Sequence, residues 1–268
     1  MSSPLSSSPS PSRSRYRSLS LPVSAAVAAL LAATALTGCT TAQDAAAPTA
    51  SPTTVVTERA APGPATRTRD NANQQIPGLG ARTRAEIPDD SRQVLVVTGE
   101  GKNENTVTAV LYERTGEAWQ ASAGPWDGHN ALRGWTDDHR LGDLRSPIGV
   151  FGLTDAGGLL KDPGTELPYD QGPAFTLNGT GFEGEPLAGS FDYVIAINYN
   201  RKAGTTPLDW TRPLGAEKGG GIWLHVDHGG PTQGCVSLPK DDMKELLRTL
   251  DPQARPVVVM GDEGSLSR

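Results

Sequence analysis

Between residues 93 and 261 the sequence breaks nearly every apolar run with glycine, proline or aspartate before it reaches the length of a helix. The runs are QVLVVTG (93–99), NTVTAVLYER (105–114), AWQASAG (118–124), GVFGLT (149–154), DYVIAINYN (192–200), GIWLHV (221–226) and PVVVMG (256–261). Short, turn-bounded segments rich in Val, Ile and aromatic residues are strands. The first two, with GEGKNE between them, predict a hairpin closed by a loop. Only Pro239 to Leu250 has helical spacing, with Met243, Leu246, Leu247 and Leu250 on one face and Asp241 and Asp242 in the first turn. No repeat and no nucleotide-binding glycine motif interrupts this pattern. The expectation is a mainly β domain over 91–262, a mostly antiparallel sandwich or barrel with a few short helices, followed by a tail at 263–268.

The segment before that domain has another character. Arg13, Arg15 and Arg17 precede a stretch from Leu19 to Leu36 made mostly of Ala, Leu and Val, and it ends in Leu36-Thr37-Gly38-Cys39. A positive start, an apolar stretch and small residues at the exit describe an export signal. Cysteine directly after the small residues resembles a bacterial lipobox, which implies a signal peptide over 1–38 and a lipid on Cys39 at the new N-terminus. An uncleaved anchor helix is the alternative, because 18 residues approach the length needed to span a bilayer. Residues 39–90, with APTASPTT and APGPATRTRD, are poor in large apolar side chains and predict a disordered tether. About 50 residues of flexible coil average ~40 Å end to end, enough to lift a domain off a membrane. The expected location is therefore the outer face of the cell membrane, lipid-anchored and facing the wall. The net charge is −6 for the whole chain, and −9 once the three signal arginines are removed. An acidic domain without a basic stripe argues against a nucleic-acid partner.

The chain has two cysteines. If Cys39 carries lipid, it cannot pair with Cys235, which is then a single thiol in an exported protein and a candidate nucleophile. Thiol acyl chemistry needs a base and donors for the oxyanion. His225 lies ten residues before Cys235, at the end of GIWLHV. Gly229, Gly230 and Pro231 can turn the chain back between them, and Gly234 leaves peptide N–H groups open beside the thiol. The start of the helix that follows adds a field favouring thiolate. A backbone carbonyl is as good a candidate as Asp227 for orienting His225.

The surrounding residues carry a resemblance. IWLHVDHGGPTQGCVSLP is similar to the signature of the L,D-transpeptidases, the YkuD-like catalytic domain of bacterial cell-wall enzymes: a His, a loop, Ser or Thr, one residue, then Gly-Cys and an aliphatic residue. Here these are His225, Thr232, Gln233, Gly234, Cys235 and Val236. Upstream, Ser146, Pro147, Gly149 and Phe151 fill the family's Thr-Pro-x-Gly-x-Phe segment. The resemblance spans about 93–262. The chain departs from it in Gln233, where a second His is usual, in Ser237, where Asn is usual, and in a shortened His-to-Cys loop.

The resemblance implies that Cys235 attacks the bond between the third residue and the terminal D-Ala of a peptidoglycan tetrapeptide stem. D-Ala is released and the acyl group passes to an amine, giving a 3→3 cross-link. His225 would take the thiol proton and later serve the incoming amine, with Gly234 and Cys235 N–H groups as oxyanion donors. Thr232, Gln233, His228 and Tyr199 are weaker candidates for substrate contact. Asn198 and Trp210 are weaker still, and His129 and His139 read as surface or loop groups, with a role at a pocket rim as the lesser alternative. No cofactor is implied. A zinc site from His225, His228 and Cys235 matches no common spacing. Two other readings are a sortase, against which Gly234 stands where Thr is usual before the Cys, and a non-catalytic wall-binding lipoprotein.

Overall fold

The computed structural model describes residues 75–268, so the expected signal peptide, Cys39 and most of the tether lie outside the described residues. The strands are β1 (Gln93–Gly99), β2 (Thr106–Thr115), β3 (Ala118–His129), β4 (Trp135–Thr136), β5 (Ser146–Pro147), β6 (Gly149–Gly158), β7 (Tyr169–Gln171), β8 (Val194–Ile197), β9 (Trp223–Val226), β10 (Val236–Leu238) and β11 (Val257–Asp262). The helices are α1 (Ala81–Ala85), α2 (Lys240–Thr249) and α3 (Glu263–Leu266). The main sheet runs β11-β1-β2-β3-β10-β9-β8-β6-β7, and a further β11–β6 pairing closes eight of these strands into a barrel. Closure satisfies the strand edges. Most pairings are antiparallel, including the predicted β1–β2 hairpin, but β1–β11, β9–β10, β6–β7 and β4–β5 are parallel.

Strand alternation sorts the side chains into two populations. Leu95, Val97, Ile195, Ile197, Leu224, Val226, Val236, Leu238, Val258 and Met260 point into the central core. One end of that core is stoppered by the apolar face of α2, through Met243, Leu246 and Leu247, which the helical spacing anticipated. The alternate residues Val94, Val96, Val257 and Val259 point outward but are covered as well. Strands buried on both faces read as nearly continuous apolar runs, which is why PVVVMG lacks a polar alternation.

That outer cover corrects both expected domain limits. Ile76 and Leu79, inside the expected tether, are 2% and 5% exposed and pack on Val94 and Val257 with Leu266 of α3. The two ends are bound together: Gly80 N–H donates to the Leu266 carbonyl and Arg82 N–H to the Arg268 carbonyl. A Cβ on Gly80 would lie 2.0 Å from the Arg268 carbonyl oxygen, so glycine permits this approach. The folded part therefore includes 76–90 and 263–268. Two isolated apolar residues in a Pro/Gly/Arg context carry too little periodicity to announce burial, which here depends on a strand face that forms elsewhere.

Candidate active site

Strands β9 and β10 lie parallel, with Leu224 opposite Val236 and His225 opposite Ser237. Parity then divides the pair. Leu224, Val226, Val236 and Leu238 face the core, so Trp223, His225, Cys235 and Ser237 face the other side. His225 and Cys235 thus emerge on one face of adjacent strands, and both line a cavity of about 370 Å³. Its wall also carries His139, Gly219 to Gly221, Ile222, Thr180, Phe182, Phe191, His228, Thr232, Gln233 and Gly234.

The strand–loop–strand connection fixes the peptide at Cys235. The Thr232 hydroxyl donates to the Cys235 carbonyl at 2.7 Å, and the Ser146 hydroxyl lies 3.3 Å from the same oxygen. Ser146 belongs to the upstream motif, so the two motifs that are distant in sequence meet at this carbonyl. Thr232 is itself anchored, its N–H donating to Asn130 and its carbonyl accepting from Leu132. With the carbonyl turned inward, no turn or side-chain hydrogen bond among the described residues uses the N–H of Gly234 or Cys235.

The sulfur and the imidazole are each held by backbone. Trp223 N–H points at Cys235 Sγ from 3.4 Å, and Sγ lies 3.6 Å from the Gly221 carbonyl, which it can reach only as a thiol. His225 Nδ1 donates to the Val226 carbonyl at 2.9 Å, which leaves Nε2 as the basic nitrogen. The ring packs edge-on against Phe191 at 5.4 Å and stacks on His228 at 5.8 Å, with 12° between the two imidazole planes. His225 is 3% exposed, and burial pulls its pKa down to about 4 against the opposing Val226 carbonyl. Cys235 keeps an opening to the cavity, yet protein crowds it closely enough that burial pushes its thiol up to about 11, the Trp223 N–H opposing. The resting pair is therefore neutral thiol and neutral imidazole. The expected thiolate-favouring field is outweighed, because β10 separates the cysteine from the first turn of α2 and burial dominates.

Asp227 does not orient His225. Its carboxylate accepts from His129 Nδ1 at 2.8 Å and from the Ser237 hydroxyl at 2.6 Å. These bonds overcome its burial and bring it down to about 2. His228 lines the cavity with Nδ1 3.3 Å from Glu185 Oε1, close enough for an ion pair but not aligned as a hydrogen bond. Gln233 is an exposed residue on the cavity wall. Tyr199 is not part of that wall: its hydroxyl donates to the Lys218 carbonyl at 2.9 Å, and its ring buttresses His139 edge-on at 5.3 Å. Asn198 turns to Thr154 and Arg201, and Trp210, 81% exposed, stacks on Arg212.

His139 takes the lesser of the two places that the sequence offered it, at a pocket instead of on the surface. It is 6% exposed and lines the cavity rather than the surface. The available signal was Asp143 four residues on, which approaches its Nδ1 at 3.1 Å. Four-residue spacing brings side chains together on a helix, and nothing in GWTDDHRLGD predicts one.

Two solved structures of the helical cell shape determining protein Pgp2 from Campylobacter jejuni, the second a lysine-to-alanine mutant, are similar to the chain. They share 15% and 16% identity over 67% and 74% of it, with TM-scores of 0.35 and 0.36. The chain spans only about half the length of those structures, 53% and 57%. Likeness this distant says nothing about chemistry. Among curated proteins no match was found. The family model for the L,D-transpeptidase catalytic domain matches residues 89–259, from just before β1 into β11 and across both motif segments. With well over half of its length matched, this chain belongs to the L,D-transpeptidase catalytic domain (YkuD) family.

Proposed function

We propose that the protein is an exported cysteine transpeptidase acting on peptidoglycan tetrapeptide stems. The observation that carries this reading is the shared face of β9 and β10. It presents the Cys235 thiol and an imidazole with Nδ1 committed to backbone to one cavity. A neutral His225 has the protonation state of a general base, and a thiol that stays protonated at rest needs one. Attack of Cys235 Sγ on the stem carbonyl passes the thiol proton to His225 Nε2. Gly234 and Cys235 N–H groups receive the oxyanion. Collapse of the adduct expels D-Ala, which takes the proton from His225 and leaves a thioester. An acceptor amine then displaces the sulfur to form the 3→3 cross-link. Lipidation at Cys39, with 39 to about 75 as tether, would hold this chemistry at the outer face of the membrane.

Incubation with purified muropeptides and mass analysis of the products tests the reading. The wild-type protein should release D-Ala and accumulate cross-linked dimer, and Cys235→Ala should do neither. D-Ala release that persists in Cys235→Ala would refute the cysteine mechanism. Binding of muropeptides by wild type without any turnover would favour the wall-binding reading.

A further inference from the structure

Acyl transfer through a thioester moves protons at two different nucleophiles, the thiol first and the acceptor amine second. His225, on the strand beside the thiol, serves the first and is neutral again once D-Ala has left. Two further imidazoles reach the same cavity: His228, stacked on His225 from the loop between β9 and β10, and His139, from a distant loop. His139 sits between two glycines of the cavity wall: a Cβ on Gly219 would lie 2.8 Å from its Nε2, and a Cβ on Gly234 would lie 3.5 Å from its Cε1. The ring thus packs against the residue that directly precedes Cys235, and a side chain at Gly219 would displace it.

Behind the ring stands a fixed carboxylate. Asp143 Oδ1 is 3.1 Å from His139 Nδ1. Asp143 is itself held by the N–H groups of Arg140 at 2.8 Å and Arg145 at 2.9 Å. The His139 side chain is 5% exposed, yet its Nδ1 has no aligned hydrogen bond. A histidine buried for packing alone is normally satisfied. Catalytic contacts are often misaligned until a ligand is bound. Burial lowers the pKa of His139 while Asp143 opposes the shift, so the ring rests neutral with a carboxylate ready to stabilise its protonated form.

We propose that His139, backed by Asp143, is the base for the acyl acceptor, an amine, and that His225 is the base for the thiol. The assignment rests on the transpeptidase reading above. In the transfer step the acceptor enters as a neutral amine, and its nitrogen bonds to the thioester carbonyl carbon. The C–S bond breaks, the amine proton moves to His139 Nε2, and the sulfur leaves as thiolate. His139 returns that proton to the sulfur through solvent.

The test separates the two half-reactions. Wild type, His139→Gln and Asp143→Asn are loaded by a tetrapeptide donor. Thioester formation is followed by intact mass, and decay is followed with and without a D-amino acid as acceptor. Amine transfer in His139→Gln should fall about 10²-fold, within the usual range for general bases, and at least tenfold more than thioester formation. Asp143→Asn should lose less, in the same step. In His139→Ala, added imidazole should restore part of the transfer, which a purely structural role would not allow. Equal losses in both half-reactions, or normal transfer in His139→Gln, would overturn the assignment. Failure of wild type to form any thioester would sink the transpeptidase reading itself, before any variant was compared.

Discussion

Cys235 and His225 carry shifts that each oppose charge: the thiol is pushed up to about 11 and the imidazole down to about 4. Both follow from burial on the outer face of the β9–β10 pair, and together they make activation depend on proton transfer within a bound complex. His225→Ala should therefore slow acylation of Cys235 by a carbapenem about 10²–10⁴-fold, read as adduct mass against time. A strained lactam carbonyl meets the same attack as the D-Ala bond, and Cys235→Ser should acquire little or no adduct. His228→Ala should cost much less, because His228 touches His225 only by ring stacking. Equal losses from the two variants would point to the wrong histidine as base.

At the scale of elements, residues 227–235 connect two parallel neighbours without a crossover helix. Parallel strands usually need a dozen or more linking residues. The short span suffices because β9 has four residues and rises only ~13 Å, well within reach of nine extended residues. Such a loop must cross the mouth of the cavity, which sets Cys235 at its end. The Thr232 hydroxyl pins that end to the Cys235 carbonyl. Thr232→Val leaves Ser146 as the remaining side-chain donor to that oxygen. It should lower stability by ~0.5–1.5 kcal/mol in urea unfolding, and it should also slow carbapenem acylation of the folded enzyme. Unchanged acylation would mean that the Gly234–Cys235 peptide is positioned without Thr232.

For the whole molecule, buried histidine makes stability depend on pH. His225 titrates near 6.5 in the unfolded chain and near 4 when folded. At pH 7 it is neutral in both states and contributes no difference. As pH falls below 6.5 the unfolded chain binds the proton first, so stability falls progressively toward pH 4, by ~3 kcal/mol in all. His139 is shifted in the same direction, while His129, raised by Asp227, partly offsets the loss. Asp227, held down near 2, adds a separate loss only below about pH 4. Urea unfolding of wild type and His225→Gln at pH 7, 5.5 and 4 should show a shallower decline in the variant. Parallel declines would refute the attribution to His225. If Cys39 is lipidated, Cys39→Ala should leave the membrane fraction while retaining acylation at Cys235.

The sequence by itself determined the β character, the strand cores, the helix at 240–249 and the pairing of His225 with Cys235 in one motif. The first three rest on local periodicity and on turn residues, and the pairing rests on the resemblance of the residues around Cys235 to the family signature. Tertiary structure alone decided which strands run parallel, that the barrel closes through β11 and β6, and that Ile76 and Leu79 belong to the fold. It also decided that burial outweighs the helix field at Cys235, that the Val226 carbonyl rather than Asp227 holds His225, and that His139 reaches the cavity. Each of these depends on which surfaces meet after the chain closes on itself. No local pattern encodes the desolvation of a side chain by residues a hundred positions away.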